Sequence, residues 1–131
     1  ISLIEIFKSK KIKSIKLPVS APFHCKLMNK ATATMKQEIE QIEFKDSDKK
    51  LISNVTAEEI PNKEELKKLL IKQIENRVRW RESVLNMINK GVDHFIEIGP
   101  GKVLSGLIKR ISNNVKIDTI NSESDINNLN I

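Results

Sequence analysis

Of the chain's two histidines, His24 and His94, only His24 stands on a stiff mount. The run Leu17-Pro18-Val19-Ser20-Ala21-Pro22-Phe23-His24-Cys25 places it behind two prolines, each of which fixes φ and removes a backbone donor. Imidazole is the side chain best suited to moving protons near neutral pH. A general base must stay within hydrogen-bond reach of the proton it takes, so a rigid mount favours that chemistry. Two readings of His24 stand side by side. It is a loop histidine satisfied by backbone, or a general base at the C-terminal end of a strand, where open α/β sheets place their ligands. Cys25 is its neighbour in sequence, but adjacent side chains point apart and do not make a nucleophile–base pair. A small buried side chain is the expectation for Cys25. Two distant histidines and one cysteine lack the spacing of a zinc site.

Gly99-Pro100-Gly101-Lys102 is a second candidate. A phosphate loop needs four residues between its first glycine and Gly-Lys, then Ser or Thr. Here Val103 follows Lys102, and Leu104 stands where a dinucleotide fingerprint needs glycine. The glycines instead let a strand turn tightly into a helix whose first amides lie near a cleft. Arg77, Arg79, Arg81, Lys109 and Arg110 form either a solvated basic face or a contact for a phosphate or an acidic protein.

These residues must be positioned by a chain of 131 residues, which is one domain with a core of its own. No apolar run has the length of a membrane helix, and no secretory signal opens the sequence. The lone cysteine excludes an internal disulfide and fits a reducing compartment, the cytoplasm by default. The net charge of +6 suits a lysine-rich solvated surface or an anionic partner. Nucleic acid is a poor fit as that partner. Aromatic residues make up only 4%, too few for a stacking platform, and no nucleic-acid motif occurs.

Periodicity supplies the elements. Leu3, Ile4, Phe7 and Ile12 suit the end of an amphipathic helix, and Ile15, Leu17 and Val19 alternate as a strand over 13–19. Leu27, Met28, Ala31, Met35, Ile39 and Ile42 recur at helical spacing over 26–42. A short strand follows over 51–55, and a helix opens at Pro61-Asn62-Lys63 with Leu66, Leu69 and Leu70 on one face. Helix is predicted over 80–89 with Gly91 as a left-handed cap, then a strand over 93–98. A helix over 103–111, a strand over 115–120 and a terminal helix over 122–129, capped by Ser122 or Ser124, complete the reading. Strands alternating with helices predict an α/β architecture.

In this order and spacing, several runs resemble the C-terminal half of malonyl-CoA–acyl carrier protein transacylases and of the acyltransferase domains of polyketide and fatty acid synthases. They are residues 17–24, Leu27-Met28, Ser53-Asn54-Val55, Gln73, Val78-Arg79-Trp80 and residues 97–107. The likeness covers about residues 13–120. It implies an α/β fold: the C-terminal portion of an α/β-hydrolase-like acyltransferase core over 19–131. The last helix and strand of a ferredoxin-like small subdomain would precede it over 1–18. It implies acyl transfer from malonyl-CoA to acyl carrier protein in fatty acid biosynthesis, through an acyl-serine intermediate. His24 would be the general base and the backbone carbonyl of Gln73 would orient it. No permanently bound cofactor, metal, nucleic acid or membrane is implied, and the expected location is cytoplasmic.

The departures from the family pattern carry as much weight. The family's serine sits in a Gly-His-Ser-type elbow, and none of the serines here has that context. The arginine that holds the malonyl carboxylate has no counterpart, and Arg77 stands where relatives have proline. The chain also does not open on methionine. The expectation is a C-terminal fragment that carries the base without the nucleophile. It would be inactive alone and could act only if an N-terminal piece supplied serine and arginine. The alternative is a non-catalytic module that binds carrier protein through its basic face, or the relic of a split gene. Either way, strands missing from the sheet would leave apolar surface exposed.

Overall fold

The computed structural model describes residues 2–16 and 18–129. Among these residues six α-helices and two strands follow in the order α1 (Leu3–Ser9), α2 (Asn29–Gln41), α3 (Lys63–Gln73), α4 (Trp80–Asn89), β1 (His94–Ile98), α5 (Val103–Ile111), β2 (Lys116–Ile120) and α6 (Glu123–Asn127), with a 3-10 turn at Lys26–Met28 before α2. β1 and β2 pair in parallel, with His94 opposite Lys116 and Ile98 opposite Ile120. Parallel neighbours need a crossover connection, and α5 is that crossover. The predicted α/β class is the architecture observed.

The core is built where three amphipathic faces meet. Val84 from α4, Phe95 from β1 and Ile108 from α5 are buried together, with Trp80, Met87, Ile88, Ile111, Val115 and Ile117 packed around them. A second contact joins α2 and α3 and buries Ile39 and Leu69. Local chemistry sets the helix ends. The Asn62 side chain accepts the Glu65 amide at 2.9 Å and starts α3. Gly91, at φ +93°, turns the chain after α4 in the left-handed region that only glycine enters cheaply. Ser122 and Asp125 form a capping box on α6.

Two expected strands are corrected. Among the described residues of 13–19 there is no strand. Alternation marks a segment that could pair, but a strand exists only when a neighbour completes its hydrogen bonds. Ile15 and Val19 are exposed, and among the described residues α1 packs against no other helix or strand. Leu17 lies outside the described residues. The segment over 51–55 makes a single antiparallel bridge, Ile52 to Glu59, because the chain reverses at once. Ser53 and Glu58 close that reversal with a 2.9 Å backbone bond, and Ala57 sits at φ 62° inside it. Among the described residues, no helix is long and apolar enough to cross a membrane.

Candidate functional site

Among the described residues, His24 follows a bend at Ser20 and Ala21 rather than a strand. Pro22 helps bend the chain there, and the Phe23 amide bonds to the Ala21 carbonyl at 2.9 Å. His24 itself has φ 61°, in the left-handed region, which is costly for a residue with a Cβ. Cys25 is half-buried, and its thiol donates to the Pro22 carbonyl at 3.2 Å, so the two neighbours do point to different partners.

The His24 ring is exposed, and its Nδ1 lies 2.9 Å from the backbone carbonyl oxygen of Gln73, 49 residues away in sequence. A carbonyl oxygen can only accept, so Nδ1 carries the proton in this bond. The neutral ring then presents Nε2 as its basic nitrogen. Nε2 has no hydrogen-bond partner among the described residues. Gln73 is the last residue of α3, where helix carbonyls lack intrahelical partners and the dipole is negative. The end of the helix thus supplies the acceptor that fixes the tautomer of the ring.

Gln73 is anchored in turn. Its side-chain oxygen accepts from the Asn54 amide nitrogen at 3.2 Å. Asn54 belongs to the tight reversal described above, which is fastened from both sides. Buried Ser53 accepts the Val55 amide through its hydroxyl at 3.1 Å. The Arg79 amide donates to the Asn54 carbonyl at 2.9 Å, and the Arg79 guanidinium donates to the Thr56 carbonyl at 2.9 Å. Asn86 of α4 donates to the Ala57 carbonyl at 2.8 Å. Asn54, Gln73 and Leu69 line a small cavity of about 140 Å³ beneath this bracket.

The other sequence candidates lie elsewhere. Gly99 and Gly101 adopt φ 133° and 98° and turn β1 into α5, as their spacing suggests. The first amides of α5 are occupied from within. Glu97 accepts the Leu104 amide at 3.0 Å and the Ser105 amide at 2.7 Å. Ser105, whose amide donates to it, holds the Glu97 carboxyl below the ordinary carboxylate range. The sequence reading missed this cap, which a carboxylate just ahead of a glycine turn and a helix start could have signalled. Arg77 and Arg79 pair with Glu82 at 2.9 and 3.4 Å. Arg81 and Arg110 flank an open groove of about 470 Å³ with Trp80 and Leu107. His94 bonds through Nε2 to Asp118 at 2.7 Å, bridging the two strands. Among the described residues, no group of three or more metal-ligating side chains exists.

No model of a known protein family matches this chain. Individual proteins do. The chain is 41% identical over 114 residues to a malonyl CoA-acyl carrier protein transacylase of Bacillus subtilis, covering 87% of this chain and 36% of that one. The fold superposes on the crystal structure of a malonyl CoA-acyl carrier protein transacylase from Clostridium perfringens with a TM-score of 0.86 at 35% identity, covering 95% of this chain and 39% of that one. A malonyl-transacylase in complex with a type II PKS acyl-carrier protein matches with a TM-score of 0.85 at 34% identity, covering 93% of this chain and 40% of that one. The chain thus spans little more than a third of the length of the curated relatives it matches.

Proposed function

We propose, on the premise that this chain is homologous to part of the malonyl CoA-acyl carrier protein transacylases, that it supplies the proton-handling portion of a malonyl-CoA:acyl carrier protein S-malonyltransferase. His24 is its general base, and the Gln73 carbonyl orients the ring. The observation that carries this reading is the 2.9 Å contact from Nδ1 of an exposed imidazole to that carbonyl. It leaves Nε2 as the basic nitrogen.

The chemistry is acyl transfer in two halves. Nε2 takes the hydroxyl proton of a serine contributed from outside these residues, as the serine oxygen bonds to the thioester carbonyl carbon of malonyl-CoA. The tetrahedral intermediate expels the CoA sulfur, which leaves with the proton from Nε2. Malonyl then rests on serine as an ester. The phosphopantetheine thiol of acyl carrier protein gives its proton to the same nitrogen and attacks that ester, and the serine oxygen recovers the proton. In each half the ring becomes a cation, which the helix-end carbonyl stabilises. A carbonyl does here what a carboxylate does in many serine hydrolase sites.

In this reading residues 19–131 are part of an α/β-hydrolase-like core, and residues 1–18 are the end of a ferredoxin-like subdomain. The lack of packing between α1 and any other described element supports a division there. The nucleophile and the arginine for the malonyl carboxylate come from outside these residues, since no serine of this chain has a Gly-His-Ser context. The setting is cytoplasmic, in keeping with a free cysteine.

The test is complementation. The chain is mixed with the N-terminal portion of a relative that carries serine and arginine, and malonyl transfer from malonyl-CoA to carrier protein is followed. The chain alone should be inactive and the mixture active. His24→Ala should lower the rate of the mixture by about 10²- to 10⁴-fold, the ordinary value of a positioned general base. Full activity in the His24→Ala mixture would remove the assigned role.

A further inference from the structure

We infer that Asn54 is a positioning residue for the His24 ring, acting through Gln73. This rests on the reading of His24 as base and goes beyond it, to what keeps the base in its productive form. The acceptor for Nδ1 is a main-chain carbonyl, so it cannot be held by choosing a side-chain rotamer. It is held only if the end of α3 is held. Carbonyls at a helix end are the part of a helix most prone to fray, because no intrahelical bond restrains them.

Asn54 pins that end on both sides. Its side-chain amide donates to the Gln73 side chain at 3.2 Å, at the last residue of α3. Its own carbonyl accepts the Arg79 amide at 2.9 Å, where the chain has left the turn after α3 and enters α4. The segment that carries the acceptor is therefore clamped at residues 73 and 79 by a single residue. Asn54 is itself fixed, because the Arg79 guanidinium and Asn86 tie the neighbouring carbonyls of Thr56 and Ala57 to α4. The order of restraint runs from the core helix α4 to the 53–58 reversal, then to Gln73, then to the ring. Asn54 does not touch the reacting atoms. Its effect is on which ring nitrogen holds the proton.

The readout is the tautomer of His24, observed in the full chain labelled with ¹⁵N at histidine, at a pH where the ring is neutral. In the parent chain the two ring nitrogens should give well-separated resonances, with the proton on Nδ1. Asn54→Leu keeps the side-chain size and deletes the donor, and should draw the two resonances towards each other as the tautomers mix. Gln73→Leu deletes the same bond from its other end, leaves the main-chain carbonyl in place, and should do the same. The double variant should show no further change. Should Asn54→Leu fail to fold, Gln73→Leu alone carries the test. His94 provides an internal control, since its partner Asp118 lies on the sheet. If the parent ring is not protonated at Nδ1, the reading of His24 itself falls. If the parent is protonated there and both variants, folded by their amide spectra, keep the same separation, the positioning role of Asn54 falls while that of His24 stands.

Discussion

His24 occupies a backbone conformation that its own chemistry does not favour. Left-handed φ costs most residues roughly 1–2 kcal/mol, and asparagine less than most. At φ 61° the ring is aimed at the carbonyl of Gln73. Strain held at one position by its surroundings is a common mark of a functional residue. Two substitutions separate the backbone from the imidazole. His24→Asn should leave the melting temperature close to that of the parent, because asparagine tolerates this conformation, and should still slow transfer about as much as His24→Ala in the complementation assay. His24→Val should cost about 1–2 kcal/mol in a urea titration, because a β-branched side chain resists the left-handed region. Equal stability of the two variants would mean that the mount is not strained.

Among the elements, α5 and the two strands depend on carboxylates that are ionised in the folded state. Glu97 caps the amides of α5, and Asp118 accepts from His94 across the sheet. Both carboxyls are held below their ordinary values of 4.5 and 3.8, Glu97 first by Ser105, whose amide donates to it, and Asp118 first by the bond to His94. The sign of the pH dependence follows directly. With a lowered pKa in the folded state, each group stabilises the fold fully above its unfolded value. As pH falls towards the folded value, the unfolded chain binds protons first and that stabilisation is lost. As far as these two carboxyls set it, the urea midpoint should be level above about pH 5 and should fall steadily below about pH 4.5. Glu97→Gln should lower the plateau and flatten the acid limb. An unchanged acid limb in that variant would show that the Glu97 cap contributes nothing to folding.

The molecule as a whole leaves a good deal of apolar surface in water. Ile98, at the end of β1, is 78% exposed, and Val103, at the start of α5, is 71% exposed. Phe23, beside His24, is also exposed. β1 pairs with β2 alone, so its other edge is open among the described residues. An open strand edge next to exposed isoleucine and valine is a surface that associates. Sedimentation velocity should show concentration-dependent self-association of the isolated chain. Replacing Ile98 and Val103 with lysine should shift the distribution towards monomer. A parent chain that stays monomeric at the highest concentration reached would show that this surface is already compatible with water.

Most of the helices could be read from the sequence because their information is local. A helix closes its hydrogen bonds within a few residues, so the spacing of Leu66, Leu69 and Leu70 after the Asn62 cap was enough for α3. Gly91 and Ser122 marked their helix ends for the same reason. The segment over 13–19 alternates and that over 51–55 reads as a short strand, yet whether such a segment becomes a strand is decided by a partner elsewhere, and the described fold supplies little or none. The chemistry divides in the same way. Residue types and the prolines singled out His24, and family resemblance pointed to Gln73, but spacing in the sequence cannot bring together two residues 49 apart. Only the folded chain placed the end of α3 against the ring, and only it revealed Asn54 behind Gln73, because a hydrogen bond between distant segments has no periodicity to betray it.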